Sequence, residues 1–403
     1  MSAPLDPIPF ARRAEDQSDH AYLAHYRARS PVAADRNGIL TTFSHRHLLQ
    51  VADPRLTRQV EMELVDLRGI TRGPIRDHYA NSLLFSNDPV HARRRRPLAR
   101  AFAHRVIADL RPRLRALAEA LIRPHLGAGP IDFLDEIAGA LPARAIAMIL
   151  GVPDAQVPRF RALIETAMRA LALRAGDDWD ALAADLHELD DLVSALLADR
   201  RARPGDDFLS DYVAATAAAP SESALTEAEI RVQIVSVVLA GADTTRMALA
   251  STLAQLLAHP AQWRALTADP EGLKAAAAAE GLRFDPPVGS FPRVAVAPFD
   301  LDGVPVRPGQ VIAASIIAAL RDPEVHADPD RFDIFRTDHP RWHPVFGAGA
   351  HRCLGEALAR AELEEALAAL AALAPGAALA GPPPRLRGLT GARAIDAMTV
   401  VLT

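Results

Sequence analysis

One predicted helix, longer than any other in the chain, constrains the fold more than any other feature of the sequence. Thr226 followed by Glu229 forms a capping box at its start, and Pro260 ends it. The helix between them has roughly 33 residues and spans about 50 Å at 1.5 Å per residue, enough to cross a whole domain. Residues 230–239 are apolar on nearly every side, which is typical of a buried helix. We therefore expect a central helix around which the other elements pack.

The middle of this helix is polar where it is expected to be driest. The sequence AGADTT at 240–245 brings together a glycine, an acid and two hydroxyls. Gly241 costs about 1 kcal/mol relative to alanine, and an unpaired buried aspartate costs more. Either the two threonines bond back to helix carbonyls and Asp243 pairs with an arginine, or the helix borders a ligand groove. In such a groove Asp243 and Thr244 handle water and protons.

The remaining periodicity predicts a mainly α fold with a small β region. Apolar residues recur at helical spacing in six segments: 105–126, 137–150, 155–173, 178–200, 227–258 and 356–373. Sheet segments are expected around 38–52, 293–315 and 385–402, with Asp302-Gly303 as a two-residue hairpin turn. Because the chain contains neither an internal repeat nor a long linker, residues 1–403 are predicted to form one domain.

Charge and composition exclude several classes of protein. The net charge of −5 gives no overall basic field, so we expect no nucleic-acid partner. The apolar stretch 366–381 is short and is broken by Pro375 and Gly376, and the N-terminus lacks the apolar core of a signal peptide. One cysteine cannot form an intrachain disulfide. A cytoplasmic protein without a membrane segment is predicted.

That one cysteine, Cys353, lies in the sequence FGAGAHRCLG at 346–355. Gly347 and Gly349 allow the backbone to turn tightly and to approach a flat ligand closely. A strong helical pattern follows Cys353, so the thiol sits at a helix N-terminus, where the helix dipole lowers a thiol pKa and favours the thiolate. Cys353 is therefore a candidate metal ligand or nucleophile.

Four interpretations of Cys353 differ in what else they require. An inert, buried cysteine requires nothing further. A catalytic cysteine needs a histidine with an orienting Asn or Asp, and zinc needs several Cys or His at close spacing; neither signature is evident. Haem brings most of its own ligands and takes a single thiolate from the protein.

At this point the chain resembles the cytochrome P450 family of haem-thiolate monooxygenases. The sulfur-loop pattern of that family is met by Phe346, Gly347, Gly349, His351, Cys353 and Gly355. Its central-helix pattern is met by Ala240, Gly241, Asp243, Thr244 and Thr245. A Glu-x-x-Arg pair, Glu280 and Arg283, is also present; the glycine between them, Gly281, predicts a less rigid helix.

The resemblance implies where the cofactor binds. Haem b is expected between the central helix and the Cys353 loop, with Cys353 as the axial iron ligand. The family's haem-binding positions correspond here to Cys353, His91, Arg95, Arg293, His351, Phe346, Gly347, Ala240 and Gly241. Among these, the implied propionate ligands are His91, Arg95, Arg293 and His351, because cations suit two carboxylates. Glu280 and Arg283 are implied to brace the core and not to take part in catalysis.

The resemblance also implies the reaction and its electron supply. One atom of dioxygen enters an apolar small-to-medium organic substrate, and the other is reduced to water. Thr244 is expected to hydrogen-bond the activated dioxygen and an ordered water, while Asp243 relays protons. Electrons are expected from NAD(P)H through a reductase and a ferredoxin, or a flavodoxin, to a monomeric enzyme. Docking charges for that partner are expected at Arg94, Arg96, Arg100 and Arg352.

The substrate pocket is the least constrained part of the prediction. Its walls are expected from residues 60–85 and 160–180 among other segments, with Val235, Leu239, Val288 and Phe291 as apolar lining residues. Arg174 or Arg393 could pair with a substrate carboxylate, although a solvated or structural role suits both.

Three other functions remain open from the sequence. A peroxide-driven peroxygenase, or a haem-thiolate isomerase or dehydratase, would keep the fold without activating dioxygen. Retention of the Asp243–Thr244 pair argues against that class. A haem sensor would bind haem without turnover, and an inert Cys353 would bind none.

Overall fold

The computed structural model describes residues 6–14, 17–102, 104–173 and 178–403. Its helices are α1 (Asp19–Arg27), α2 (His45–Val51), α3 (Glu63–Leu67), α4 (Pro74–Asn81), α5 (Val90–Ala101), α6 (His104–Ile122), α7 (Ala140–Leu150), α8 (Val157–Ala172), α9 (Trp179–Ala202), α10 (Phe208–Ala217), α11 (Glu227–Ala258), α12 (Pro260–Ala268), α13 (Pro270–Phe284), α14 (Ile316–Ala319) and α15 (Glu356–Leu373). Its strands are β1 (Ile8–Pro9), β2 (Val32–Ala34), β3 (Leu40–Thr42), β4 (Thr57–Gln59), β5 (Pro130–Asp132), β6 (Ser290–Ala295), β7 (Phe299–Leu301), β8 (Val304–Val306), β9 (Val311–Ser315), β10 (Ala378–Leu379) and β11 (Thr399–Val401). The mainly α fold with a small β region is confirmed.

Helix α11 is the predicted central helix and begins with the predicted capping box. The Glu229 backbone N–H donates to the Thr226 hydroxyl at 3.2 Å, and the Thr226 backbone N–H donates to the Glu229 carboxylate at 2.9 Å. Apolar residues between 230 and 242 belong to one hydrophobic cluster, and those between 247 and 256 belong to another. The polar residues 243–246 therefore mark the boundary between the two clusters.

Among the helices of the described ranges, α11 is long and apolar enough to pass a length-and-composition test for a membrane span. Most of that apolar window is buried against other parts of the fold. Burial inside protein explains its composition, so α11 is a core helix.

Three small sheets flank the helices. The largest has the order β1-β2-β3-β9-β6-β4, with β3 parallel to β9 and β6 antiparallel to both β9 and β4. Strands β7 and β8 form the predicted hairpin, whose turn residues Asp302 and Gly303 both have positive φ. The sheet expected over 38–52 is only partly correct. The strand ends at Thr42, and Ser44 then caps α2 by accepting a hydrogen bond from the His47 N–H at 3.3 Å.

Helix α13 carries a fully buried ion pair. The Arg283 guanidinium donates to both carboxylate oxygens of Glu280, at 2.7 and 2.8 Å. Its remaining N–H groups donate to the carbonyls of Pro329, Arg331 and Leu320. Because one planar guanidinium reaches the carboxylate and three carbonyls together, it joins α13 to the chain that leads to the Cys353 loop.

The glycine inside this pair has a different role from the one expected. A Cβ at Gly281 would lie 2.1 Å from the Thr252 hydroxyl oxygen of α11. Gly281 therefore allows α13 to pack directly on the central helix. The prediction of a less rigid helix did not take into account this close contact between α13 and α11.

Replacing Arg283 with lysine should destabilise the protein. An ammonium group cannot make both carboxylate bonds and reach three carbonyls, so buried acceptors lose their partners, at about 1–3 kcal/mol each. We expect the free energy of unfolding to fall by at least about 2 kcal/mol in urea titrations. The control is R123K, which alters an exposed pair with Glu119 and should change stability by less than about 0.5 kcal/mol. Equal effects of the two substitutions would contradict the bracing role.

Helix α15 contains a buried carboxyl group without a matching cation. Glu362 is 2% exposed, and its Oε2 has no hydrogen-bond partner in the described ranges. Desolvation raises the pKa of Glu362 from 4.5 to about 8. The folded protein therefore holds this proton over a pH range in which the unfolded chain has released it.

Because of Glu362, the free energy of unfolding should decrease as the pH rises. The folded state binds more protons between pH 4.5 and 8, so the contribution of the neutral carboxyl is complete below pH 4.5 and is lost as the pH rises towards 8. E362Q cannot titrate, and its stability relative to the parent protein should increase by about 1.4 kcal/mol per pH unit across that window. The exposed substitution E222Q is the control. A stability difference independent of pH would contradict the raised pKa.

Candidate active site

The Cys353 loop is a compact turn held by its own backbone. Gly347 adopts φ +70°, and the Cys353 N–H donates to the Phe346 carbonyl at 2.7 Å. From outside, the Trp342 indole N–H donates to the Gly347 carbonyl at 3.0 Å. Helix α15 follows with Gly355 as its N-cap, so Cys353 stands just before a helix, as predicted.

The environment of the thiol differs from the expected one. Cys353 is exposed by surface area, yet desolvation raises its pKa. Its accessible surface therefore faces an enclosed part of the fold and not bulk water. The Gly355 N–H, and more weakly Arg95 and Arg352, lower the pKa without offsetting this desolvation. The protein alone does not favour the thiolate, whereas a metal ion at the sulfur would deprotonate it.

The four predicted propionate ligands, two arginines and two histidines, do converge beside this loop. The rings of His91 and His351 lie 4.0 Å apart between centroids. Arg95 donates to the Arg352 carbonyl at 2.7 Å, and its guanidinium is close enough to Cys353 for the two charges to interact. Helix α5 thus brings His91 and Arg95, one turn apart, against the loop that carries His351.

The fourth cation, Arg293, comes from the sheet. It lies directly opposite Gln59 in the pairing of β6 with β4, and its guanidinium donates to the Gln59 side-chain oxygen and to the Pro292 carbonyl. Arg293 is 6% exposed, and it stacks over Phe291 at 4.7 Å. Burial lowers the pKa of Arg293 to about 10.

This cluster has more positive charge than the neighbouring protein neutralises. Neither Arg95 nor Arg293 has an acidic partner within ion-pair distance in the described ranges, and the Nε2 of buried His91 has no hydrogen-bond partner there. Burial, followed by the charges of His91, Arg293 and Arg95, lowers the pKa of His351 to about 3. Such a group of desolvated donors suits a ligand with two carboxylates, as haem has. The donor set therefore fits haem, with Cys353 as the one thiolate beside it.

Helix α11 presents a narrow accessible face in an otherwise buried core. Ala240 is exposed, and Val237, Gly241 and Thr244 are half-buried, at the i, i+3, i+4, i+7 spacing of one face. The Thr244 hydroxyl donates to the Ala240 carbonyl at 2.9 Å, which is the back-bonding alternative considered above. The exposed face is what the groove alternative requires, so the two alternatives coexist. Asp243 is half-buried next to this face.

Two of the four predicted lining residues lie on the wrong side of this helix. Val235 is 0% and Leu239 is 1% exposed, and both pack inside the hydrophobic cluster of the first half of α11. This corrects the prediction: period-3.6 reasoning identified a buried helix but not which apolar residues face open space. Val288 and Phe291 are half-buried, as a lining role requires.

The two candidate carboxylate-binding arginines have different outcomes. Arg393 is 1% exposed and pairs with Asp19 at 3.1 Å while donating to the carbonyls of Pro286 and Leu386. It is therefore structural. Arg174 lies outside the described residues.

The predicted docking arginines differ in exposure and in ion pairing. Arg94 is 6% exposed and pairs with Glu229 at 3.0 Å, so its assignment as a surface docking charge is wrong. Arg352 is partly neutralised by Glu356 at 2.5 Å. Arg96 and Arg100 are exposed, on the outer side of α5.

Sequence reasoning missed several polar residues that hold these side chains. Gln59 orients Arg293, and Arg336 approaches the Glu280 carboxylate at 3.5 Å as a second arginine. Both act across long sequence separations and carry no local signature. Gln233 did have a signal, because it is a polar residue within the apolar half of α11.

The chain is similar to known proteins along its length. The family model for cytochrome P450 matches residues 167–269 and 273–371. A plant-inducible cytochrome P450, pinF1, from Rhizobium radiobacter is 38% identical over 400 residues, covering 99% of this chain and 93% of that protein. Nocardicin C N-oxygenase from Nocardia uniformis subsp. tsuyamanensis is 36% identical over 307 residues, covering 75% of this chain and 74% of its own.

A solved structure shares the architecture. The crystal structure of CalO2 superposes with a TM-score of 0.85 at 29% identity and covers 94% of this chain and 95% of its own. These similarities in sequence and in structure indicate the same family as the thiol loop, the cation cluster and the accessible face of α11. The chain belongs to the cytochrome P450 family and is a monooxygenase of the bacterial type.

Proposed function

We propose that residues 1–403 form one domain that holds haem b between α11 and the Cys353 loop, with Cys353 as the residue that would bind the haem iron. The observation that carries this assignment is the cluster of His91, Arg95, Arg293 and His351 next to the only thiol of the chain; His91 and Arg293 are buried, and Arg95 and His351 are half-buried. In this proposal the four side chains bind the two propionates, while Phe346 and Gly347 on one side and Ala240 and Gly241 on the other contact the ring.

When bound, haem supplies a thiolate-ligated iron at which dioxygen is reduced and its O–O bond is cleaved. The protein contributes the surroundings of that reaction. The start of α15 (Leu358 and Ala361) and the first half of α11 belong to one hydrophobic cluster, and this apolar packing would limit the access of bulk water. The accessible face of α11 would hold the substrate into which one oxygen atom is inserted.

Thr244 and Asp243 manage protons in this proposal. The Thr244 hydroxyl now donates to the Ala240 carbonyl, so its oxygen is free to accept a hydrogen bond from a water in the groove. Rotation of that hydroxyl would let it donate towards the groove instead. Asp243, half-buried beside it, is placed to pass protons from the exterior to that water.

Further parts of this proposal concern the redox partners, the substrate and the cellular compartment. We assign NAD(P)H as the electron source through a reductase and a ferredoxin, with exposed Arg96 and Arg100 as docking charges for that acidic donor. The substrate is an apolar small-to-medium organic molecule, in keeping with half-buried Val237, Val288 and Phe291. Relatives include a nocardicin C N-oxygenase and an erythromycin C-12 hydroxylase, and neither substrate is assigned to this chain. We propose a monomer in the cytoplasm.

The absorption spectrum of the purified protein tests the haem ligand. The reduced, CO-bound protein should show the Soret band of a thiolate-ligated haem, and C353S should lose that band because a serine oxygen is a weaker donor to iron than a thiolate. A350S, which places the same side chain at an exposed position of the loop, is the control. A thiolate-type spectrum that survives in C353S would contradict the assignment.

Coupling measurements test the role of Thr244. With a substrate identified by its low-spin to high-spin shift, T244A should consume NAD(P)H through ferredoxin and its reductase while most electrons appear as hydrogen peroxide and not as product. T245A is the matched control, since Thr245 is 4% exposed and faces the core. Full coupling in T244A would show that the hydroxyl does not deliver protons.

A further inference from the structure

Residues 80–85, which comprise the end of α4 and the short turn that follows it, are held by side chains of other elements. Four of their carbonyls accept hydrogen bonds from side chains of other elements: Ala80 from Arg94, Asn81 from Gln233, Ser82 from Arg94 and Leu84 from Gln59. The Leu83 N–H donates to the Gln233 amide oxygen at 2.7 Å. The position of the 80–85 segment therefore depends on three side chains.

Of the three side chains that bind the backbone of the 80–85 segment, Gln233 belongs to the central helix. It is 0% exposed, and its amide nitrogen donates both to the Asn81 carbonyl at 2.8 Å and to the Glu229 carbonyl of its own helix at 2.6 Å. The bond within α11 fixes the amide orientation, so the nitrogen and the oxygen of one rigid group face Asn81 and Leu83 together. The hydroxyls of Ser236 and Ser82 share a further hydrogen bond, with their oxygens 2.8 Å apart.

The end of this segment, Leu83–Phe85, contacts α11 and carries two apolar side chains, Leu84 and Phe85. Leu84 and Phe85 are half-buried and pack against the same hydrophobic cluster as Val237. Val237 lies one helical turn, about 5.4 Å, beyond Gln233. The backbone of Leu83 is thus anchored one turn from the first residue of the accessible face.

The same segment is tied to the cation cluster. Gln59 donates to the Leu84 carbonyl at 2.9 Å and accepts from Arg293, one of the proposed propionate ligands. Arg94 is in turn held by Glu229 at the start of α11. The wall of the proposed pocket and the proposed cofactor site consequently share one hydrogen-bonded frame.

We propose that Gln233 is a positioning residue that sets substrate fit, by holding Leu84 and Phe85 as an apolar wall of the pocket beside the accessible face of α11. This role rests on the proposed function, because it presumes a substrate in the groove between that face and the haem. Gln233 does not touch the substrate. It acts through the backbone of the 80–85 segment.

The dissociation constants of two haem ligands of different size test the position of this wall in the haem-loaded protein. Imidazole and 4-phenylimidazole both bind haem iron directly and shift its spectrum, but only the phenyl group extends to a pocket wall. In Q233L the Asn81 carbonyl and the Leu83 N–H lose their partners, and the wall moves. We expect the dissociation constant of 4-phenylimidazole to rise about tenfold, as for the loss of one good apolar contact, with imidazole changed by less than about twofold.

The control is the same substitution elsewhere on α11. Gln255 is half-buried and donates to Asp285 at 2.7 Å, so Q255L also removes an amide hydrogen bond of this helix without involving the 80–85 segment. Q255L should leave the ratio of the two dissociation constants unchanged. Amide hydrogen exchange across residues 82–86 should accelerate in Q233L and not in Q255L.

Several results would overturn the proposal. One is an unchanged ratio of dissociation constants in Q233L, and another is an equal change in Q255L. Should Q233L fail to fold, Q233E retains the acceptor for the Leu83 N–H but lacks the donor to Asn81, and it must shift the ratio in the same direction relative to Q255E. L84A, which shortens the wall itself, must also weaken 4-phenylimidazole.

Failure of the proposed function is distinguishable from failure of this inference. A parent protein without a thiolate-type CO spectrum would contradict the haem assignment. The exchange measurement on residues 82–86 would still report whether Gln233 positions the segment. A normal CO spectrum with no change in probe selectivity would refute the role of Gln233 alone.

Discussion

Burial of helix α11 is the constraint on which the rest of this structure depends. Its two halves belong to two different hydrophobic clusters, so one helix joins the two largest apolar clusters of the described residues. Because its apolar side chains point in nearly every direction, other helices must cover most of its surface. Gly281 shows how tight that cover is, because α13 packs against Thr252 at a distance that no side chain would allow.

In a helix that is buried in this way, polar groups indicate where a hydrogen-bond partner or a ligand is needed. Between the two clusters, residues 243–246 interrupt the apolar core, and the accessible residues Val237, Ala240, Gly241 and Thr244 lie along one face. In a low-dielectric interior each polar group needs a partner, and a cluster of cations needs an anion. Arg283 satisfies this requirement within the protein, whereas His91, Arg95, Arg293 and His351 do so with a ligand in the proposed function.

Local patterns allowed much of this arrangement to be predicted. The capping box, the limits of α11 and the Asp302-Gly303 turn depend on neighbouring residues, and the structure has each of them. The thiol loop and the Glu280–Arg283 pair also lie within short stretches of chain. One error arose because the decisive neighbour is remote: Arg94 is withdrawn from the surface by Glu229.

By itself, the sequence determined the helical class and the central helix with its polar interruption. These follow from spacing along the chain, because residues three or four apart share a helix face. The side chains expected around the one thiol were instead implied by the family resemblance. Only the tertiary structure decided which helix face stays accessible, that Val235 and Leu239 are enclosed, and that Gln59 lies opposite Arg293. It also decided that desolvation raises the pKa of Cys353 despite the adjacent helix. The reason is the same in each case: burial and long-range pairing are set by chain segments that meet only when the protein folds.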